Sequence, residues 1–127
     1  MRKGSIVGSD IKTYRDLITW QKAFRLSVDL YAITGDFPDS EKYGLCSQIR
    51  RCGVSVPSNI AEGYGRGTTP EYIRFLRVAR GSLCELETQI FIAEELNFIP
   101  ASQFEVIHDQ IEECHRLLAG LLRSLNK

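Results

Sequence analysis

Apolar residues recur along this chain at steps of three and four, and no segment keeps the period of two that a half-buried strand needs. The clearest run is Tyr72, Leu76, Ala79, Leu83, Leu86, Ile90 and Ala93. It predicts a helix from about Thr68 to Asn97, with Thr68 and Glu71 as a capping box and Pro70 in the first turn. Phe104, Ile107, Ile111, Cys114, Leu118, Leu121 and Leu125 predict a last helix, opened by a second box of Ser102 and Glu105. Upstream, Leu45, Ile49, Cys52 and Val56 mark a helix capped by Asp39 or Ser40 and reaching about Glu62, followed by a Gly63–Gly67 loop. Pro57 lies inside that helix, where it removes one hydrogen bond and crowds the carbonyl of Gly53, so a kink is expected over Gly53–Pro57. The first helix is expected from Tyr14 or Arg15 to Thr34, with Gly35 as a left-handed cap. Residues 1–12 read as a flexible tail, and 13–127 as one all-α, antiparallel up-down four-helix bundle.

Two of these helices carry more apolar surface than one buried stripe requires. In the first, Leu17, Phe24, Val28 and Tyr31 fall on one side, and Leu26, Leu30 and Ile33 almost opposite. In the third, Ile73 and Phe91 lie on one flank of the seam, and Val78, Ile92 and Leu96 on another. Four helices alone do not bury both faces of two of them. Self-association is therefore expected, with Leu26, Leu30, Ile33, Phe91, Ile92 and Leu96 at the subunit contact.

Composition adds limits rather than a function. At 127 residues the chain is long enough to bury a core without metal or disulfide staples. It has no apolar run near the ~20 residues of a membrane span and no apolar stretch after Met1-Arg2-Lys3 of signal-peptide length, so no membrane partner and a cytoplasmic location are expected. Cys46, Cys52, Cys84 and Cys114 form no C-x-x-C pair and sit among apolar residues; reduced core thiols are the expectation, with a disulfide still open on spacing. Net charge is zero, but residues 1–83 hold 13 Lys/Arg against 8 Asp/Glu, and residues 84–127 hold 3 against 8. Such a split makes a basic surface on a neutral protein, or two faces that attract one another.

The candidate chemistry is sparse. His108 and His115 flank Glu112 on the last helix, and Glu112-x-x-His115 has the spacing of di-iron bundles. Those sites need a second such motif on a facing helix, and no other helix has a histidine, so a solvated polar face and no metal or other cofactor are expected. Cys114 and His115 are adjacent, about 100° apart on a helix, and poorly placed as nucleophile and base. Gly63–Gly67 lacks the Lys-Ser/Thr ending of a P-loop; it reads as a helix cap and turn, or as a phosphate cradle at a helix N-terminus. No enzyme is expected. From Lys42 to Arg80 basic residues outnumber acids, and only Glu62 and Glu71 oppose them. Arg50, Arg51, Arg66, Arg74 and Arg77 form a candidate nucleic-acid surface, with Tyr64 and Tyr72 nearby to stack on bases, or else a merely solvated basic face.

Three segments resemble those of the bacterial four-helix-bundle family, also called the 23S rRNA intervening-sequence protein family. They are Tyr14 to Ala23, Tyr43 to Arg51, and Val54 to Gly63, the most specific part being Pro57-Ser58-Asn59-Ile60-Ala61-Glu62-Gly63. The resemblance covers nearly all of Thr13 to Leu125. It implies an up-down bundle that often assembles as a ring-like homopentamer, and kinship with basic accessory proteins of retroelements that bind nucleic acid and a reverse transcriptase. The partners it implies are therefore further copies of the chain, RNA or DNA, and a reverse-transcriptase-like or other protein. No catalytic residue is established for the family. A non-enzymatic RNA-binding oligomer is the first functional reading, and a protein-interaction scaffold the second.

Overall fold

Four helices account for about three quarters of the computed structural model, which describes residues 11–126. They are α1 (Ile18–Thr34), α2 (Leu45–Gly65), α3 (Thr69–Glu95) and α4 (Ala101–Leu125). Packing runs α1 on α2, α2 on α3, α3 on α4 and α4 back on α1, so each helix touches its two neighbours around a square bundle. The expected tail at 1–12 lies almost wholly outside the described residues.

The core follows the predicted seams of α2, α3 and α4. Ile49, Val56, Ile60, Leu76, Leu83, Leu86, Ile90, Ile107, Ile111 and Leu118 are all fully buried. At the end of α4 the seam passes from Leu118 to Leu122 rather than Leu121, which is only partly covered. In α1 the inward side is Ala23, Leu26, Ser27, Leu30 and Thr34, and Ile33 packs against the core from its edge. Leu26 and Leu30, expected at a subunit contact, are 1% and 0% exposed. The outer face instead holds Ile18, Phe24, Val28 and Tyr31. Size explains the choice: Leu30 meets α2 at Gly53, where an added Cβ would come within 2.6 Å of Leu30 Cδ1. Aromatic rings on that side of α1 would hold the helices apart.

Several ends differ from expectation. Residues 14–16 form a 3-10 turn rather than the start of α1, with a capping box between Thr13 and Asp16 that holds the Asp16 carboxyl below its usual range through backbone N–H donors of Lys12 and Thr13. Gly35 is right-handed (φ −62°). The left-handed cap is Asn97 (φ 63°), which ends α3 with Asn97 N–H donating to Glu94 O and Phe98 N–H to Ala93 O, the two bonds of a Schellman ending. Asp39 and Ser40 belong to a separate 3-10 turn; Glu41 caps α2, its Oε1 accepting from Leu45 N–H at 3.1 Å. Neither Thr68 nor Ser102 caps with its side chain: Glu71 turns to Arg74 instead, and Ser102 lies inside α4 behind Pro100.

Helix α2 continues through Pro57 to Gly65, three residues beyond Glu62. Its Gly63 is buried in the α2–α3 contact, where an added Cβ would lie 2.7 Å from Phe75 Cβ and 3.2 Å from the Tyr72 carbonyl oxygen. Those neighbours are backbone or near-backbone atoms and yield little. Gly63→Ala is expected to lower stability by about 1–3 kcal/mol, typical of overpacking. The measurement is a shift of the urea midpoint at unchanged slope, and an unchanged midpoint would mean that the helices part freely here.

Candidate nucleic-acid interface

The five arginines singled out by sequence do not form one patch. Arg51 and Arg66 are fifteen positions apart on one helix and its cap, or roughly 22 Å at ~1.5 Å per residue. They fall into groups with different work to do.

Arg50 is tied inward. Its Nε donates to Thr34 Oγ1 at 2.8 Å and its Nη2 to the Tyr31 carbonyl at 3.2 Å, while the guanidinium lies over the Tyr31 ring at 4.6 Å. Thr34 Oγ1 in turn donates to the Leu30 carbonyl. Arg50 therefore adds a second donor to the Tyr31 carbonyl, which also accepts from Gly35 N–H, and ties α2 to the end of α1. Its neighbour Arg51 points outward and makes no ion pair among the described residues.

Arg66 and Arg74 cluster at the α2–α3 turn around the buried ring of Phe75, at 4.8 and 4.5 Å from its centre. Each also has an acid: Arg66 pairs with Glu62 at 2.7 Å, and Arg74 grips both oxygens of Glu71 at 3.0 and 3.1 Å. The Arg74 bonds hold the Glu71 carboxyl below its usual range. Glu62 and Glu71 are thus spent on neighbours in their own helices. Arg77, one turn on from Arg74, is exposed and without an ion pair among the described residues, as is Arg80, which the sequence reading counted but did not select. Between them and Cys84 lies Gly81, where beyond the helix's own adjoining backbone nothing lies within 4 Å of an added Cβ, so the outer backbone of α3 is bare there.

The proposed stacking rings are occupied. Tyr64 and Tyr72 meet edge to face at 5.9 Å, and burial pushes the Tyr72 hydroxyl up to about 12. The Gly63–Gly67 phosphate cradle is also absent as a loop, because its first three residues are helical.

At the neighbouring α3–α4 seam the histidines leave the solvated face expected of them. His108 and His115 are each about a quarter exposed, and their Nε2 atoms lie 3.1 Å from Oε2 and Oε1 of Glu87 on α3. Nothing in local spacing singles out Glu87; only its position on the flank it shares with Phe91 brings it to α4. Cys114 is buried, and its thiol is pushed up to about 12 by desolvation, so it stays protonated. Cys46 and Cys52 are buried and free, whereas Cys84 is exposed, against the expectation of a core position.

The described helices include none long and apolar enough to cross a membrane. The family model described as 23S rRNA-intervening sequence protein matches residues 15–120. Among solved structures the fold is similar to that of a protein of unknown function from the S23 ribosomal protein family of Bacteroides thetaiotaomicron VPI-5482. The TM-score is 0.78 at 22% identity, over 86% of this chain and 98% of that one, a likeness of fold. No curated protein matches the chain.

Proposed function

The chain belongs to the 23S rRNA-intervening sequence protein family, and we propose that it is a non-enzymatic, self-associating bundle that binds RNA across the outer faces of α2 and α3. One observation carries this reading. Arg51, Arg77 and Arg80 stand exposed without ion pairs among the described residues, while the acids nearest in sequence, Glu62 and Glu71, are held by Arg66 and Arg74. Cations left unpaired in this way gain most from phosphate, because binding releases counterions rather than breaking an existing pair. The family name attaches its members to 23S rRNA intervening sequences, which makes RNA the first nucleic acid to test.

Replacing Arg51, Arg77 and Arg80 together with alanine is expected to weaken RNA binding at every sequence tested. The slope of log affinity against log salt should become shallower by about 0.7 per lost contact on a single strand. Replacing Arg66 and Arg74 should change the slope less. Absence of binding by the parent protein at low salt, or an unchanged slope in the triple variant, overturns the reading.

Self-association is the second half of the proposal. One apolar surface joins Phe24, Val28 and Tyr31 of α1 to Val54 of α2, beside a groove of about 340 Å³ lined in part by Trp20 and Pro57. The other lies diagonally across the bundle toward the end of α3, where Ile92 and Leu96 are each about half exposed on one flank, while Phe91, also half exposed, packs against Phe104 of α4 on the other. Two unlike surfaces on opposite sides suit head-to-tail contact, which closes into a ring when the rotation closes. A pentamer is the state the family resemblance favours. A protein-interaction scaffold with no nucleic-acid binding is the competing reading, and a parent protein that binds no RNA at low salt would support it.

A further inference from the structure

The polar cluster between α3 and α4 has the donors and spacing of an ion site. His108, Glu112 and His115 share one face of α4, since steps of four and three return to the same side of a helix. Glu87 faces them from α3, with a carboxylate oxygen 3.1 Å from each imidazole Nε2. One ligand atom each from Glu87, His108 and Glu112 lie within 4.8 Å of one another. We propose that Glu87, His108 and Glu112, joined by His115, bind one divalent transition-metal ion, zinc or a close relative, across the α3–α4 seam.

Chemistry and geometry agree on the ion class. Two imidazoles and two carboxylates are a borderline nitrogen–oxygen set, suited to zinc and its neighbours rather than to magnesium or calcium, which take oxygen ligands. Two carboxylates against a dication leave the site neutral. Atoms bound to one zinc at ~2.0–2.2 Å in tetrahedral geometry stand roughly 3.3–3.5 Å apart. The His108 Nε2–Glu87 Oε2 separation is already close to that, and Glu112 closes from the solvent side. His115 meets the other Glu87 oxygen, Oε1, and stands outside the group within 4.8 Å, so its ring swings inward to become the fourth ligand. An ionised carboxylate only accepts, so each ring now donates its Nε2–H to Glu87. A metal takes the place of those protons, with each neutral ring carrying its hydrogen on Nδ1 instead.

The surroundings hold the donors in place. The His108 ring stacks on Phe104 at 5.4 Å and 9°, and Phe91 lies 5.2 Å from it, fixing the plane of the imidazole. Glu112 is exposed and makes no hydrogen bond or ion pair among the described residues, so its carboxylate is free to turn inward.

The test is calorimetric titration of the untagged, chelator-treated chain with zinc chloride, in a Cys84→Ser background that removes the exposed thiol. One ion per chain is expected, with magnesium chloride giving no comparable heat. Cobalt substitution should give the visible bands of a tetrahedral site. Glu112→Gln, at an exposed position that the fold does not use, should weaken zinc binding at least tenfold; loss of mere supporting contacts around a metal already costs ~10–100-fold. His115→Gln should do the same, with unchanged helicity by circular dichroism as its folding control. No stoichiometric binding, equal response to magnesium, or full affinity in both variants overturns the site.

Discussion

Phe24→Asp combined with Val28→Asp is expected to leave a folded, helical monomer of about 14.4 kDa, where the parent chain scatters light as a multiple of that mass. Both side chains are close to half exposed in the single chain, at 44% and 43%. Losing them, with the Phe24 stack on Trp20 at 5.0 Å, is expected to cost about 1–2 kcal/mol against the ~5–15 kcal/mol of a typical domain, so the fold should survive. The assembly should not. Each subunit contact would bring two new carboxylates against an apolar surface, and an unpaired charge removed from water costs several kcal/mol. In a ring the penalty repeats at every contact. A parent protein that is monomeric at micromolar concentration, or a double variant that keeps the parent mass, would remove the α1 outer face from the proposed interface.

Leu30→Asp is expected to do the opposite and abolish the fold. Leu30 is fully buried against α2 at Gly53. Truncating such a leucine costs about 2–5 kcal/mol through lost transfer energy and the cavity left behind. A buried, unpaired carboxylate adds several more. The sum is comparable with the ~5–15 kcal/mol that holds a typical domain together. Leu30→Ala provides the graded control, still helical but with its denaturation midpoint lowered. Circular dichroism and light scattering on the two variants distinguish a core position from a contact one. A folded but monomeric Leu30→Asp protein would restore Leu30 to a subunit interface.

These two results would settle together a question that periodicity leaves open. Leu26 and Leu30 are separated by four residues, and so are Phe24 and Val28; both stripes satisfy the helical repeat equally. What separates them is the opposing surface. Small side chains, Ala23 and Ser27, accompany the leucines, and Gly53 across from them lets α2 approach. The size pattern was present in the sequence, but it acquires meaning only once α1 is known to face α2 at that height.

The candidate basic surface shows the same division. That Arg50 and Arg51 are neighbours says nothing of their fates, because about 100° of helical rotation sends one toward the end of α1 and leaves the other in water. The pairing of Glu62 with Arg66 and of Glu71 with Arg74, by contrast, follows from steps of four and three, and could be read from spacing alone. Arg80 then emerges as an unpaired cation only after those acids are assigned.

From its own sequence the protein determined four helices, their order, and the seams of α2, α3 and most of α4. Those are properties of residues within a turn or two of one another, and the backbone repeat reports them directly. Tertiary structure alone decided which side of α1 turns inward, that Gly63 is a point of helix contact rather than a loop, and that Glu87 joins two histidines more than twenty residues away. Each of these depends on the height and rotation of one helix against another. That rotation is set by side-chain volume across the whole bundle, and no local pattern records it.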